Sequence, residues 1–519
     1  MPSYLTPGVY VEEVQSGARP IEGVGTAVAA FVGFAETGPF HEPTLVTNWD
    51  QYVQTFGGFT SDTYLAHSVY GYFANGGGTA YIVRVGGPSD GASPNGGPAA
   101  VEAAPEPVAL GGFLFAALPG AGSGLTVEIA DADGENPPED RFKLLVRQGD
   151  KVAESYDVSV RKNVKNYLLT QLRESKLITV TEQRGTAQSR PQSQTVALAA
   201  APAPAPAKTS SSNGVARLDP TEYVGDATAR TGFSGLEAID EVTMVVVPDL
   251  MSAHQRGDID AEGLRTVQLA VISHCEQMGD RVAVLDTPPG LNAQQVRTWR
   301  NDEAGYDSRY AALYYPWISV FDPATGRNTT VPPSGHVAGV WARSDAERGV
   351  HKAPANEVIR GAVDLGLRLS KGEQDLLNPI GVNCIRAFPG RGIRIWGART
   401  LSSDPAWRYL NVRRLFNYLE ESILLGTQWV VFEPNDDRLW ASIRRNIGAF
   451  LTEEWRRGSL FGQNADEAFY VKCDRDNNPQ ESIDLGQVIC EIGVAPVKPA
   501  EFVIFRLSQF SDSTSLVDE

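Results

Sequence analysis

"VTMVVVPDL" (residues 242–250) is the stretch that decides the fold class. Its apolar run is short and unbroken, as in a strand that is covered on both faces of a parallel sheet. It is followed by "AEGLRTVQLAVISHCEQM" (261–278), which has the length and spacing of a helix, and by a second buried strand, "RVAVLDTP" (281–288). "AQQVRTWRND" (293–302) predicts another helix and "YAALYYPWISV" (310–320) a third strand. This alternation of strands and helices predicts a parallel α/β layer.

The bulk properties around this layer are those of a large globular chain. At 519 residues, with 42% hydrophobic and 21% charged residues, the chain is too long for one core, and we expect two to four domains. A net charge of −18 argues against nucleic-acid binding. No apolar run is long enough for a membrane helix, and the first residues do not have the pattern of a signal peptide. The four scattered cysteines predict buried thiols in a reducing compartment.

Two low-complexity stretches, 86–107 and 185–214, punctuate the first half of the chain. Both are poor in large apolar residues, and the Ala-Pro run of the second favours extended polyproline II structure. The segment between them predicts a small inserted domain of strands and one helix, at 125–130, 141–148, 151–160 and 163–175.

Two long amphipathic helices are predicted towards the C-terminus. In 406–426 the apolar residues recur at helical spacing, and Gly426 is a plausible helix end. The helix 436–457 has an apolar stripe, and Gly458 closes it. Four arginines lie away from that stripe: Arg444, Arg445, Arg456 and Arg457. Residues 381–460 hold twelve Arg, no Lys and eight acidic residues, which indicates either a complementary surface or scattered surface arginines.

Both ends of the chain predict strands. "YLTPGVYVEEV" (4–14) has no hairpin partner after it. "QVICEIGV" (487–494) alternates as a half-buried strand does, and "EFVIFRL" (501–507) is apolar on both faces, which predicts a strand covered on both sides. Strands that are joined to the body by Gly/Pro-containing links can be donated to the sheet of a neighbouring molecule by β-augmentation. Pairing of 4–14 with this chain's own sheet stays open as the alternative.

No motif predicts catalytic, cofactor-binding or metal-binding residues. The glycines of "NGGGTAYIVRV" (75–85) precede a strand and predict a tight turn, not a phosphate loop. Asp249 and Asp286 follow buried strands, where α/β enzymes place ligands, but without a nucleophile motif they are expected to cap strands. His274, Cys275 and Glu276 would point to different faces of one helix, so they cannot share a metal.

Several longer stretches are distinctive when taken in order: "AAFVGFAETGP", "YFANGGGTAYIVRV", "LPGAGSGLTVEIAD", "YAALYYPWISVFDP", "VPPSGHVAGVWARSDAERGVHKAPAN", "LNPIGVNCIRAFPGRGIRIWGARTL", "YLNVRRLFNYLEESILLGTQWVVFEPND" and "IGVAPVKPAEFVIFRL". Together they resemble the contractile tail sheath family of phage tails, R-type pyocins and extracellular contractile injection systems. "YLTPGVYVEEV" belongs to the same series, whereas the Ala-Pro linker has no counterpart in it.

The resemblance implies a structural subunit that stacks in hexameric rings around an inner tube and contracts to drive the tube through a target envelope. Its partners would be other copies of itself, the inner tube protein, and baseplate and cap proteins, with no nucleic acid, no cofactor and no direct membrane insertion. Assembly would take place in the bacterial cytoplasm, as part of a phage tail or tail-like particle that is released. A single chain with this pattern argues for the phage-like branch, because type VI sheaths divide the task between two chains.

The resemblance also assigns domains and interfaces. The expected fold is a mixed α/β and α+β multidomain chain: N-terminal arm and linker 1–25, α/β middle domain 26–107 and 215–360, inserted outer β-rich domain 108–214, and tube-facing C-terminal domain with a strand arm 361–519. The residues expected to interlock subunits are Val9, Tyr10, Val11, Glu12, Glu13 and Val14 in the N-terminal arm, and Val488, Cys490, Ile492, Val494, Phe502, Val503, Ile504, Phe505 and Arg506 in the C-terminal arm. Arg444, Arg445, Arg456 and Arg457 are the candidates for the tube contact.

Two other function classes stay open on the residues alone. The α/β alternation is compatible with a nucleotide- or ligand-binding enzyme. A monomeric adhesin or secreted binding protein is the second alternative, against which the cysteine usage and the N-terminal pattern speak.

Overall fold

The computed structural model describes residues 20–60, 63–86, 108–111, 113–117, 125–132, 138, 140–148, 151–162, 164, 166–172, 175, 177–182, 190–191, 193–197 and 219–506. The chain forms two compact units, one from Met1–Asp90 with Gly214–Glu519 and one from Gly91–Asn213. The second unit therefore interrupts the first in sequence. No helix among the described residues is both long and apolar enough to cross a membrane.

The strands of the described residues are short, and most belong to the first unit. They are β1 (Val28–Phe34), β2 (Thr44–Val46), β3 (Thr79–Gly86), β4 (Val108–Leu110), β5 (Phe113–Ala117), β6 (Leu125–Asp131), β7 (Arg141–Gln148), β8 (Lys151–Ser159), β9 (Ile178–Glu182), β10 (Thr195–Ala197), β11 (Met244–Val246), β12 (Val282–Asp286), β13 (Ala311–Tyr315), β14 (Ile318–Asp322), β15 (Arg327–Val331), β16 (Ala362–Leu365), β17 (Val382–Phe388), β18 (Gly392–Ile395), β19 (Phe469–Lys472) and β20 (Glu491–Val494).

The α-helices of the described residues range from one turn to 20 residues. They are α1 (Trp49–Phe56), α2 (Leu65–Asn75), α3 (Leu168–Gln171), α4 (Pro220–Val224), α5 (Asp249–Arg256), α6 (Ala261–Met278), α7 (Ala293–Thr298), α8 (Ser334–Arg348), α9 (Lys371–Leu377), α10 (Leu410–Thr427), α11 (Asp437–Arg456), α12 (Ala465–Ala468) and α13 (Gln480–Asp484). A π-helical turn, Trp299–Ala304, continues α7.

The first unit is built on an eight-stranded sheet in the order β18-β17-β13-β12-β11-β1-β3-β2. The six inner strands run parallel, and the two edge strands are antiparallel to their neighbours. Both faces are covered: in β12, Ala283 and Leu285 lie in one hydrophobic cluster, and Val282 and Val284 in another on the opposite face. The predicted parallel α/β layer is confirmed.

Local signals set the bounds of the helices in this layer. Helix α6 spans the predicted residues 261–278, because the Asp260 side chain accepts a hydrogen bond from the Gly263 amide and Gly279 adopts the left-handed conformation that ends the helix. The prediction of a single strand over 310–320 was wrong. Pro316 has no amide hydrogen for a ladder, and it separates β13 in the main sheet from β14, which pairs antiparallel with β15 and β16.

Helices α10 and α11 pack with the β19–β20 hairpin around a third hydrophobic cluster. The predicted apolar stripe of α11 is confirmed, since its six members are buried: Leu439, Trp440, Ile443, Ile447, Phe450 and Leu451. Gly458 closes α11 with a φ of 85°. Gly426 does not end α10, which continues to Thr427. A Cβ atom at Gly426 would lie 2.7 Å from Ile21, so this glycine permits close packing of Ile21 on the helix.

The predicted strand 487–494 is shorter than expected. Only Glu491–Val494 pairs with β19, because the backbone of Ile489 is hydrogen-bonded to the Asn478 side chain instead. The Ile489 amide donates to the Asn478 side-chain oxygen at 2.6 Å, and the Asn478 side-chain amide donates to the Ile489 carbonyl at 2.8 Å. The predicted alternation is nevertheless present: Val488, Cys490, Ile492 and Val494 are partly buried against the third cluster.

The second unit has its own core. A four-stranded sheet (β10-β6-β7-β8) and a three-stranded sheet (β4-β5-β9) share one hydrophobic cluster that includes Phe113, Phe115 and Phe142. The strands predicted at 125–130, 141–148 and 151–160 are confirmed by β6, β7 and β8. Of the described residues in the predicted helix 163–175, only the single turn α3 is α-helical.

One part of the second low-complexity stretch forms a strand, which its low content of large apolar residues did not predict. Thr195–Ala197 forms β10 and pairs antiparallel with β6. The Ile129 amide also donates to the Gln194 carbonyl at 2.9 Å, which extends this pairing. The Ala-Pro run itself and the stretch 87–107 lie outside the described residues.

Candidate assembly interfaces

The C-terminal segment is anchored to the first unit at Glu501. Its carboxylate accepts hydrogen bonds from the Arg399 guanidinium at 2.9 and 2.7 Å, from Asn378 at 2.8 Å and from the Tyr409 hydroxyl at 3.2 Å. Burial alone would raise the pKa of Glu501, but these donors outweigh it and hold the pKa below its usual value. The sequence contains no local signal for this anchor, because Arg399 and Glu501 are 102 positions apart.

The residues that follow this anchor are exposed. Phe502, Val503, Ile504 and Phe505 are 72%, 67%, 78% and 84% exposed, and they lie outside any helix or strand of the described residues. The prediction of a strand covered on both sides is therefore wrong within this chain. Four consecutive large apolar residues on a surface mark an interaction site more often than a solvated terminus. Arg506 is also exposed, and Leu507 lies outside the described residues.

A groove of about 760 Å³ lies beside this segment. One wall is the chain from Val497 to Val503, and the other includes His351, Trp396 and Tyr409. The segment and the groove together offer both main-chain groups and apolar surface to an extended strand.

The β19–β20 hairpin forms a two-stranded sheet in the described residues, with register from Phe469↔Val494 to Lys472↔Glu491. Ile492 and Val494 of the predicted C-terminal arm therefore pair inside their own chain along one edge. A two-stranded sheet is marginal by itself, and each of its strands keeps an outer edge to which further strands could add.

The N-terminal segment is held along α10. The buried Ile21 side chain packs on Gly426, and the Val24 amide donates to the Ser422 hydroxyl at 3.1 Å. The Thr26 hydroxyl donates to Asp345 at 2.7 Å. The predicted arm residues, Val9 to Val14, lie outside the described residues.

The four arginines of the predicted tube contact differ in their surroundings. Arg444 is half-buried, and its guanidinium donates to the Cys473 carbonyl. Arg457 pairs with Glu453 at 2.5 Å and with Glu454 at 2.9 Å. Arg445 and Arg456 are exposed, and Arg445 donates only to Ser442 of its own helix, at 3.1 Å.

Other arginines of the basic region 381–460 are used inside the chain. Arg414 pairs with Asp345 at 2.5 Å, and both side chains are buried. Arg413 is buried as well; it pairs with Glu420 at 3.1 Å and stacks on Trp407. The excess of arginine in this region therefore supplies internal ties between elements as well as surface charge.

The two aspartates at the ends of buried strands cap helices. Asp249 accepts hydrogen bonds from the amides of Phe34 at 2.7 Å and Leu65 at 3.2 Å, so it joins the end of β1 to the start of α2. Asp286 accepts from the amide and hydroxyl of Ser334 at the start of α8, at 2.9 and 2.5 Å. Burial raises the pKa of Asp249 to about 6 and that of Asp286 to about 7. Both carboxylates already have partners among the helix amides, which is a structural role.

The remaining candidates for a chemical site are also structural. Gly76 adopts a φ of 116° at the end of α2, and the glycines after it turn the chain into β3, as the tight-turn interpretation predicts. His274 and Cys275 are buried in α6, whereas Glu276 is exposed and accepts from Ser308 at 2.6 Å. The described residues contain no group of three or more His, Cys, Asp or Glu that could hold a metal ion.

Family models match the second half of the chain. The model described as phage tail sheath protein central domain matches residues 233–401, and the model described as phage tail sheath C-terminal domain matches residues 402–510. Together these matches cover more than half of the 519 residues. They include the main sheet from β11 onwards, both long helices and the hairpin.

Curated tail sheath proteins are similar to part of this chain. The tail sheath protein of Vibrio phage KVP40 is 31% identical over 262 residues, which is 46% of this chain and 38% of that protein. The tail sheath protein of Enterobacteria phage T4 is 24% identical over 47% of this chain and 39% of its own length. The aligned part is thus less than half the length of these relatives.

Solved structures are similar to this fold over nearly the whole chain. The sheath complex of the extracellular contractile injection system PVC, in its contracted state, has a TM-score of 0.58 at 24% identity and covers 98% of this chain and 99% of that one. The helical sheath of the anti-feeding prophage, also contracted, has a TM-score of 0.59 at 23% identity and covers 98% of this chain and 100% of that one. The fold is thus similar over nearly the whole chain, although the sequences have diverged.

Proposed function

Because the chain belongs to the phage tail sheath family, we propose that it is the structural subunit of a contractile sheath. Copies of the chain stack as hexameric rings around an inner tube, and contraction of the polymer drives the tube through a target envelope. The partners are further copies of the chain, the inner tube protein, and baseplate and cap proteins. The subunits assemble in the bacterial cytoplasm into a tail or tail-like particle that is released.

The observation that carries the proposal is the exposed run Phe502–Phe505 next to the firmly held Glu501. Burying one such side chain against a partner contributes about 1.5–3 kcal/mol, and each main-chain hydrogen bond contributes about 1 kcal/mol. A strand of this composition therefore binds a neighbouring subunit far more strongly than any single surface contact. The anchor at Glu501 transmits the pull of that neighbour to the body of the subunit.

The receiving surface is the β19–β20 hairpin of another copy. Its two outer edges have no partner strand within the described residues, so strands from neighbouring subunits can complete it. We assign this role to the C-terminal arm and to the N-terminal arm, Val9–Val14. The main-chain hydrogen bonds between these strands keep the subunits linked. Meanwhile the contacts between the subunit bodies change as the polymer passes from one state to the other.

The tube contact is assigned to α11, and Arg445 and Arg456 are its strongest candidates, because Arg444 and Arg457 have partners within the chain. Exposed charges bind weakly and are screened by salt. Such a contact suits a surface that has to release the tube during contraction.

The alternative of an α/β enzyme receives little support from the site. The aspartates at the strand ends, where such enzymes hold their ligands, are buried against helix amides. We therefore propose a structural role without catalysis, cofactor, nucleic acid or direct membrane insertion.

The experiment replaces the exposed run with serine (Phe502→Ser, Val503→Ser, Ile504→Ser and Phe505→Ser) in the full-length protein. These side chains are exposed in the subunit, so we expect the variant to fold, because little packing is lost. Electron microscopy should show striated hollow cylinders for the unsubstituted protein and none for the variant. Removal of residues 1–15 should likewise prevent ordered, contractile cylinders.

The matched control is Leu485→Ser, which changes an apolar residue that is 69% exposed and lies outside the arm. This variant should form cylinders like the unsubstituted protein. Ordered cylinders formed by the fourfold variant would contradict the assignment of the C-terminal arm.

A further inference from the structure

Cys473 and Cys490 face each other at the loop end of the β19–β20 hairpin. The last pair in the ladder is Lys472↔Glu491, and the next position towards the loop places Cys473 opposite Cys490. Each cysteine directly adjoins its strand in sequence, and the 16 residues between them form the loop that joins the two strands.

The register also defines which kind of pair the two cysteines form. The Ala495 amide donates to the Ala468 carbonyl at 2.8 Å, so Ala468 and Ala495 are a hydrogen-bonded pair. Along an antiparallel ladder, hydrogen-bonded pairs alternate with non-hydrogen-bonded pairs. Cys473 and Cys490 lie five positions from Ala468 and Ala495, an odd number, so they form a non-hydrogen-bonded pair. Residues in such a pair have Cα atoms about 4.5 Å apart, which is within the range that a disulfide spans.

The side chains agree with this placement. The two thiols are within hydrogen-bonding reach of each other. Asn478 binds the backbone of Ile489 and approaches the Cys473 sulfur at 4.0 Å, which fixes the loop around the pair. The Arg444 guanidinium, which donates to the Cys473 carbonyl, lies close enough to favour the thiolate forms of both residues.

The two cysteines differ in their access to solvent. Cys473 is fully buried, whereas Cys490 is partly exposed. Burial raises the pKa of Cys490 to about 12, so little thiolate is present at neutral pH and exchange with small reagents is slow. Oxidation of the pair is therefore expected to need prolonged incubation at neutral pH.

We propose that Cys473 and Cys490 are a redox site that forms an intrachain disulfide with a low-molecular-weight disulfide, such as oxidised glutathione, as the oxidant. The Cys490 thiolate attacks the small disulfide, forms a mixed disulfide and releases one thiolate. The Cys473 thiolate then attacks the Cys490 sulfur and releases the second. Two protein thiols are oxidised, one small disulfide is reduced to two thiols, and the two protons pass to the departing thiolates.

The product would close the loop end of the hairpin that precedes the C-terminal arm. The new bond joins the residue before β20 to the residue after β19, so a pull on the arm that separates the two strands from their open end stops at Cys490 and does not unfold the 16-residue loop. This consequence rests on the proposed function, in which the arm is pulled by a neighbouring subunit, whereas the reaction itself does not. A particle that leaves a reducing cytoplasm would thereby gain a covalent link in each subunit.

The test incubates the full-length protein with oxidised glutathione, denatures it and alkylates the remaining thiols. The chain has four cysteines, and we expect about two alkyl groups per oxidised chain instead of four. Trypsin cuts after Lys472, Arg475 and Arg506 but not between Lys498 and Pro499. Mass spectrometry should therefore detect residues 473–475 linked to residues 476–506, and the link should disappear on reduction.

Two variants control this result. Cys384→Ala removes a buried thiol in the main-sheet core, and the oxidised protein should still lose two alkylation sites. Cys490→Ser should keep all three of its thiols. Four free thiols in the unsubstituted protein after oxidation, a stable glutathione adduct on Cys490, or links between chains would each overturn the proposal. None of these outcomes depends on whether the protein forms cylinders.

Discussion

At the scale of single residues, buried polar groups set the positions of elements that are far apart in sequence. The Arg414–Asp345 pair has both side chains about 95% buried, and it also binds Thr26 of the N-terminal segment. Removing one member of such a pair leaves a buried charge without a partner, which usually costs about 3–5 kcal/mol. The same reasoning makes Arg399, which holds Glu501, a positioning residue for the C-terminal arm.

A pH prediction follows from His336 in α8. The residue is 3% exposed and packs against Gly71 of α2. Burial, together with the neighbouring His67, lowers the pKa of His336 to about 4, against about 6.5 in an unfolded chain. The unfolded state therefore binds the proton more readily, and stability is lost as the pH falls from 6.5 to about 4. The full effect is about 3 kcal/mol in the free energy of unfolding.

The measurement compares urea unfolding at pH 7, 5.5 and 4.5 between the parent and His336→Gln. The parent should carry the four serine substitutions at 502–505, so that the subunits stay unassembled. All nine tryptophans lie outside 91–213, and their fluorescence reports on the first unit alone. His336→Gln should lose less stability on acidification. His41→Gln should change the pH dependence of the free energy of unfolding less than His336→Gln does, because His41 is only partly buried. If the free energy of unfolding depends on pH equally in the parent and in His336→Gln, the prediction is wrong.

At the scale of elements, α11 divides its charged residues between two tasks. Arg444 and Arg457 have partners within the chain, whereas Arg445 and Arg456 are exposed and form no ion pair with any residue that the structure describes. The apolar stripe of the same helix fills the third hydrophobic cluster. One helix can thus be firmly held by one face and make a weak contact with the other.

Reversing the exposed charges tests the assignment of that face. Arg445→Glu with Arg456→Glu should leave the fold intact, because neither residue is buried, and should weaken engagement of the inner tube by a factor of ten or more at low salt. Co-purification of the sheath subunit with the tube protein, across a series of salt concentrations, measures the effect.

The matched control makes the same change of charge elsewhere on the first unit. Arg297→Glu with Arg327→Glu alters two exposed arginines outside α11, in α7 and β15. If both double variants bind the tube equally well, the helix face is not the contact.

At the scale of the whole molecule, the two compact units have separate cores. The core of the second unit contains Phe113, Phe115 and Phe142, whereas the clusters of the first unit are formed by residues before position 86 or after position 219. Because each core is self-contained, we expect the first unit to fold without the second.

Replacing Gly91–Asn213 with a flexible linker of roughly ten residues should therefore leave a subunit that still forms cylinders. Electron microscopy measures this outcome. As a second route, Phe142→Asp should unfold the second unit through a buried charge without preventing assembly. Loss of cylinders, with the tryptophan fluorescence of the first unit unchanged, would show that the second unit takes part in assembly.

The sequence alone determined the features that have a short period. The unbroken apolar run of β11 and β12, the helical spacing in α6 and α11, and the alternation in β6 to β8 follow from rules that act over a few residues. The longer stretches were sufficient to identify the family. They also implied that the C-terminal run interlocks subunits. The apolar pattern of the run itself predicted a strand covered on both sides, which the described residues of this chain do not form.

Only the tertiary structure decided which distant residues meet. Asp249 binds the start of α2, which is 184 positions away; Arg399 holds Glu501; and Cys473 faces Cys490 through the register of a hairpin. These contacts have no local pattern, because they depend on how the elements pack. For the same reason the exposure of Phe502–Phe505 could not be predicted: an apolar run has the same sequence whether its own chain or a neighbouring one covers it.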